Sequence, residues 1–256
     1  MKLEHLSASR IDTFYQCQAK YYAIYEKHMK SDPHPLTVMG SSVHQAFEKV
    51  VRSDKTEVDI DYLRDMVKAE CKSLEVNKKN TALAVRLSEN AMKWGYFRQI
   101  DNIDGVEVEF KEKLPDGTYV KGFIDRLDLF LPNAEVIDLK TQKKEFDDSI
   151  LKDRWQSKIY DWAVRKLPLG ITGQVTLSYW VLRHRVQRTV FSPLDSSATE
   201  KNLMEVADKI RSVKKPTKTP SRLCEWCPAF DVCKEGQQFI RTGGDKLGDL
   251  RGLKSG

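Results

Sequence analysis

Apolar and polar positions follow a helical period over roughly the first hundred residues of this chain and a strand period after that. Over residues 8–28, Ile11, Phe14, Tyr15, Tyr22 and Tyr25 recur near helical spacing, with Ser7 or Ser9 placed to cap the start. Two prolines between Ser31 and Pro35 break that pattern. A second helix is expected from Ser42 to about Val51, with Val43, Phe47 and Val50 on one face, and two more over 59–75 and 81–100. Then Val106, Val108 and Phe110 alternate with Glu107, Glu109 and Lys111, which predicts a half-buried strand. Pro115-Asp116-Gly117 marks a turn, Tyr119 to Leu131 a strand, Pro132-Asn133 a turn, and Glu135 to Leu139 a short third strand. A helix over 149–166, strands over 174–182 and 186–192, and a helix over 195–213 complete the series. This order predicts an α/β or α+β domain with a mixed sheet, fronted by a helical region.

Composition narrows the class. The 256 residues suffice for one large domain or two small ones. Charged residues make up 31% and no apolar run approaches the roughly 18–20 residues of a membrane span, so no membrane partner is expected. The N-terminus lacks the apolar stretch of a signal peptide, which points to an intracellular, cytoplasmic location. The net charge of +6 is compatible with nucleic acid. Arg183, His184, Arg185 and Arg188 form one basic group; Lys209, Arg211, Lys214, Lys215, Lys218 and Arg222 form another with no acid between them. Such a run is usually a solvated face, but beside a phosphodiesterase centre it becomes a track for a nucleic-acid backbone.

The chemistry concentrates between Gly122 and Lys140, in GFIDRLDLFLPNAEVIDLK. Asp125 lies in one apolar run and Asp138-Leu139-Lys140 in the next. Two carboxylates can hold a divalent cation, and a lysine supplies fixed positive charge near an attacking water or a phosphate. Strand parity puts Asp138 and Lys140 on one face and Ile137 and Leu139 on the other. Asp138 with Lys140 could equally be a surface ion pair, worth little in stability. His44, at the start of a helix, gains weight only from the set it joins. Glu107 and Glu109 share a strand face, so parity does not choose between them. Gln156 and Tyr160, at i and i+4, present an amide and a phenol side by side, either against a substrate or as an ordinary amphipathic face.

Five cysteines occur, three of them within ten residues as Cys224-x2-Cys227-x5-Cys233. Three thiolates this close need a fourth ligand in a tetrahedral zinc site or an iron–sulfur cluster. Cys17 is the natural candidate and Cys71 the alternative; spacing alone does not separate zinc from iron–sulfur.

Taken together and in order, these segments resemble the RecB-like branch of the PD-(D/E)xK nucleases, which includes AddB-type nuclease domains and CRISPR-associated iron–sulfur exonucleases. Leu6 to Tyr21 is similar to the family's N-terminal cysteine helix, and Gly40 to His44 to its G-x-x-x-H motif. Gly122 to Asp128 resembles G-x-x-D-R-x-D, Asp138 to Thr141 D-x-K-T, and Gln156 to Tyr160 Q-x-x-x-Y. Gln18 stands where many relatives carry proline. The resemblance implies a restriction-endonuclease-like mixed β-sheet core flanked by helices, forming a single nuclease domain over 1–256. Within it, 1–104 is a helical region carrying Cys17 and His44, 105–194 the sheet core, and 195–256 a helix and cysteine segment. It further implies that His44, Asp125, Asp138 and the Leu139 carbonyl ligate Mg²⁺ or Mn²⁺ and that Lys140 orients or activates water. Cys17, Cys224, Cys227 and Cys233 would bind a 4Fe–4S cluster. The family also carries an acid upstream of its G-x-x-D motif, for which Glu109 is the preferred residue. The implied activity is that of a DNA exonuclease acting on single strands or duplex ends, with a helicase or recombination partner supplying the motor that the chain's lack of a P-loop motif denies it. A non-catalytic nucleic-acid-binding protein on the same scaffold, or one with a zinc ribbon, is the competing expectation.

Overall fold

The computed structural model describes residues 1–53, 57–98 and 103–244. In chain order the helices are α1 Ala8–Gln16, α2 Gln18–Tyr25, α3 Pro35–Val51, α4 Ile60–Ser73, α5 Lys78–Lys93, α6 Trp155–Val164, α7 Pro193–Ser212 and α8 Lys234–Arg241. The strands are β1 Ile103–Lys113, β2 Tyr119–Phe130, β3 Asn133–Lys140, β4 Val175–Val181 and β5 Arg185–Phe191. Two compact units emerge, one of residues 1–32 with 205–256 and one of residues 33–204. Among the described residues no helix is long and apolar enough to cross a membrane.

The 33–204 unit contains a five-stranded sheet in the order β1-β2-β3-β4-β5. All neighbours are antiparallel except β3 and β4, which run parallel across the α6 connection. The mixed α/β fold expected from the alternating periods is therefore present. Ile137 and Leu139 of β3, with Trp180 and Leu182, join the apolar core formed with α3, α4 and α5, where Met39, Val43, Phe47, Leu63, Val67 and Leu87 are buried. Each such fully buried side chain contributes roughly 1.5–3 kcal/mol. This commits Ile137 and Leu139 to the helical core and leaves Asp138 to the opposite face, where it meets α6. Helix α3 starts at Pro35 rather than Ser42, because proline's fixed φ suits the first helical turn. Residues 99 and 100 of the expected helix over 81–100 lie outside the described residues.

In the unit of residues 1–32 and 205–256, the helix expected over 8–28 divides at Cys17, which is extended with φ −164° and ψ 114°. The break has a tertiary cause. The Ala19 amide donates to the Thr217 carbonyl at 2.9 Å, and the Thr219 amide reaches the Cys17 sulfur at 3.5 Å. A continuous helix would use the Ala19 amide internally. Local periodicity records the two apolar faces but not this exchange of partners.

The G-x-x-D-R-x-D segment divides by parity. Arg126 and Asp128 point away from Asp125 and form a buried bidentate pair, at 2.6 Å and 2.7 Å, while Arg126 also donates to the Tyr96 carbonyl. Their side chains are 3% and 6% exposed. Removing one partner of such a pair strands a buried charge. Asp128→Ala should therefore lower unfolding free energy by roughly 3–5 kcal/mol in urea titrations followed by circular dichroism.

Candidate active site

The β2–β3 ladder pairs Phe130 with Asn133 and continues to Arg126 with Ile137, ending one residue short of Asp125 and Asp138. There a side chain takes over from the backbone: Asp125 Oδ2 accepts the Leu139 amide at 2.7 Å. This leaves Asp125 Oδ1 facing His44 of α3, whose Nδ1 lies 3.3 Å away. Gly40 lets α3 approach, since a β-carbon there would stand 3.0 Å from the Thr141 hydroxyl. The G-x-x-x-H and D-x-K-T segments therefore meet at the small residue of one and the threonine of the other.

Glu107 completes a group in which ligand atoms of His44, Glu107 and Asp125 all lie within 4.8 Å of one another. It has φ +49°, a left-handed conformation uncommon for a residue with a side chain. Glu109, preferred from the sequence, is exposed, pairs with Phe123 across the ladder and stands outside this group. Regular alternation would give the two glutamates equal claim; the backbone turn at Glu107 breaks that equivalence.

Asp138 is not part of the threesome. Its Oδ1 accepts from Gln156 Nε2 at 2.7 Å, and its Oδ2 lies 2.6 Å from Lys140 Nζ. That Oδ2 is buried and no described group donates to it in hydrogen-bond alignment. The same Gln156 amide reaches the Tyr160 hydroxyl at 3.0 Å, and Tyr160 donates to the Phe123 carbonyl at 2.7 Å. Gln156 and Tyr160 therefore tie α6 to both carboxylate strands. For Leu139 the structure records amide donation to Asp125, not a role for its carbonyl. A cleft of about 710 Å³, lined by His44, Glu107, Leu139, Lys140, Thr141 and Arg183 among others, opens at this group.

The electrostatics set the carboxylates apart. Burial works to raise Asp125, but His44, Lys140 and the Leu139 amide outweigh it and hold the carboxyl below its usual range. Burial pushes Asp138 up to about 6, with the Asp125 charge adding to it and Lys140 opposing. Burial works to lower His44, yet the Asp125 contact prevails and raises it. Burial and the Asp125 charge raise Glu107. A group that crowds two carboxylates with one imidazole has the donor set of a hard divalent cation, which would relieve the repulsion between the acids.

The cysteines form a separate cluster in the other unit. Cys17, Cys224, Cys227 and Cys233 line one cavity of about 120 Å³. Cys71 is excluded from it, being buried in the 33–204 core with its sulfur 3.1 Å from the Ser42 hydroxyl. A β-carbon at Gly236 would lie 3.4 Å from both the Cys224 and Cys233 sulfurs, so glycine there keeps α8 close to the thiols.

A model of the PD-(D/E)XK nuclease superfamily matches residues 5–234. This chain belongs to that superfamily. The candidate residues at the ends of β2 and β3 therefore sit in a nuclease fold. Among solved structures, a "Putative exonuclease" from Eubacterium rectale is similar at 13% identity and a TM-score of 0.54, over 92% of this chain and 88% of that one. At that identity the likeness concerns the fold. The protein SSO0001 is similar at 16% identity and a TM-score of 0.41, over 78% of this chain and 95% of that one, and carries no argument. No curated protein matches the chain.

The raised Asp138 carboxyl gives a pH prediction for the metal-free nuclease. Between its ordinary value near 3.8 and about 6 the folded state binds more proton than the unfolded state, so this group's contribution to stability falls as pH rises through that window. Asp138→Asn should raise the melting temperature at pH 7 in chelator, and the difference from wild type should shrink towards pH 4.

Proposed function

We propose that this chain is a metal-dependent deoxyribonuclease acting as an exonuclease on single-stranded DNA or duplex ends. The observation that carries the reading is the gathering of His44, Glu107 and Asp125 beside the buried Asp138–Lys140 pair. The ligand set favours Mg²⁺ or Mn²⁺, with two carboxylates and one imidazole as hard or borderline donors. His44, Glu107 and Asp125 hold the cation, and Asp138 and the Leu139 carbonyl are the remaining donors the family pattern suggests. When bound, the cation supplies charge stabilisation at the phosphoryl oxygens and a lowered pKa for the attacking water.

The protein groups do the positioning. Asp125 is held charged by His44, Lys140 and the Leu139 amide, so it is ready to bind a cation without first losing a proton. Lys140 is anchored by Asp138 and lines the cleft, where its ammonium can orient water or bind a phosphate oxygen. Gln156 fixes the second oxygen of Asp138, and Tyr160 fixes Gln156, so the lysine's partner cannot swing away. In the other unit Lys209, Arg211, Lys214, Lys215, Lys218 and Arg222 are all exposed, which suits contact with a DNA backbone. A helicase or recombination partner would deliver strands to an enzyme without a motor.

For the cysteines we propose a 4Fe–4S cluster held by Cys17, Cys224, Cys227 and Cys233, placing the chain with the RecB-like and AddB-type enzymes. All four cysteines line one cavity, which a cluster whose cysteines ligate different iron atoms would occupy. Backbone amides donate to two of the sulfurs, from Ser221 to Cys224 at 3.2 Å and from Thr219 to Cys17 at 3.5 Å.

Digestion of 5′- and 3′-labelled oligonucleotides in Mg²⁺ or Mn²⁺ tests the activity. Asp125→Ala and Lys140→Ala should each slow cleavage by on the order of 10²–10³ or more while circular dichroism stays unchanged. Undiminished cleavage by a folded Asp138→Ala protein would refute the mechanism, and intact fragments with wild type would favour the binding-protein reading. A brown preparation absorbing broadly near roughly 400 nm, lost in Cys17→Ser, is expected for the cluster; a colourless, zinc-containing protein would overturn it.

A further inference from the structure

Helix α3 carries His44 and Glu48 one turn apart, and Arg52, four residues further on, is its C-cap in helical conformation, so the three lie along one face. His44 enters the ligand group directly. Arg52, at the helix end, does something different. Its Nη2 donates to the Val106 carbonyl at 3.0 Å, and its Nε is held by Glu48 Oε1 at 3.0 Å. The Val106 carbonyl and the Glu107 amide belong to one rigid peptide plane. Holding that carbonyl therefore constrains rotation about the next bond, which is the φ of Glu107. That φ is +49°, the conformation that separates Glu107 from the regular strand and leaves its carboxylate with His44 and Asp125.

We infer that Arg52 is a positioning residue for the divalent cation: it locks the left-handed backbone that delivers Glu107 to the ligand group. The inference rests on the reading of His44, Glu107 and Asp125 as a cation site. One helix thus contributes one ligand by its own side chain and secures another through the neighbouring strand's backbone. The guanidinium fork is required, because one group must reach Glu48 and the Val106 carbonyl together. The Arg52 side chain is 58% exposed, and an exposed ion pair adds little to stability, so its loss should spare the fold.

Mn²⁺ binding measured by calorimetry, or by electron paramagnetic resonance of free Mn²⁺, tests this without any nuclease assay. Arg52→Met should weaken Mn²⁺ affinity about tenfold, as loss of a ligand's supporting contact does elsewhere. Arg52→Lys should fall between Arg52→Met and wild type, and thermal melts should be nearly unchanged for both. In a Glu107→Gln background Arg52→Met should weaken affinity no further, because the residue it positions no longer serves as a charged ligand. Unchanged affinity in Arg52→Met, or an equal loss in both backgrounds, would overturn the inference while leaving the cation site standing. Failure of wild type to bind Mn²⁺, or indifference to His44→Ala and Asp125→Asn, would remove the cation site and the inference with it.

Discussion

The site depends on one substitution of partners: where β2 and β3 cease to pair, the Asp125 carboxylate takes the Leu139 amide. A buried amide without a partner costs about 1–3 kcal/mol, and a buried carboxylate without one costs more. Each removes the other's penalty. The strands can therefore end their ladder inside the protein rather than at its surface, and the opening so made is the space the carboxylates and lysine share. Had the ladder continued, the Leu139 amide would have needed a backbone carbonyl, and Asp125 would have lost one of the contacts that, after those of His44 and Lys140, favour its charged form.

The same segment shows how one strand serves two demands. Asp125 faces His44 and Glu107, while Arg126 and Asp128 face the other way and close a buried bidentate pair. Gly122 serves packing: a β-carbon there would lie 2.5 Å from the Phe110 ring, whose edge meets Tyr160. The Phe110 ring thus packs against the tyrosine that reaches Asp138 through Gln156. Three of the motif's residues hold structure so that one can carry charge.

Much of this was legible in the chain because it follows from period. Alternation in 136–140 separated Asp138 and Lys140 from Ile137 and Leu139, and the contacts follow that division: Ile137 and Leu139 join the helical core while Asp138 pairs with Lys140. The i, i+4 spacing of Gln156 and Tyr160 predicted their adjacency, and the hydrogen bond between them bears it out. What escaped the sequence are the places where backbone leaves its period. Glu107 and Glu109 are indistinguishable by alternation; the strand register, which sets Glu109 against Phe123, and the left-handed φ of Glu107 separate them. No glycine or asparagine signals that turn, since the residue adopting it is itself the functional one. The division of α1 from α2 at Cys17 was hidden for a related reason: the partner that draws the Ala19 amide away lies about 200 residues downstream, at Thr217.

That distant contact also bears on what a cluster at the four cysteines does for stability. Closing a loop of this length by a covalent or coordinate link costs the unfolded chain entropy that grows only slowly with length. The folded unit already joins the two segments without it, through the Ala19–Thr217 and Gln18–Thr217 hydrogen bonds and through the N-terminal ammonium on the Val213 carbonyl at 2.7 Å. Ligation at the four cysteines would therefore fasten a junction that the backbone has drawn together, adding its binding free energy to the folding of that unit. None of the four cysteines belongs to the 33–204 unit that contains His44, Glu107, Asp125, Asp138 and Lys140. The four cysteines and the His44–Glu107–Asp125 group are thus held by separate sets of contacts, each within its own unit.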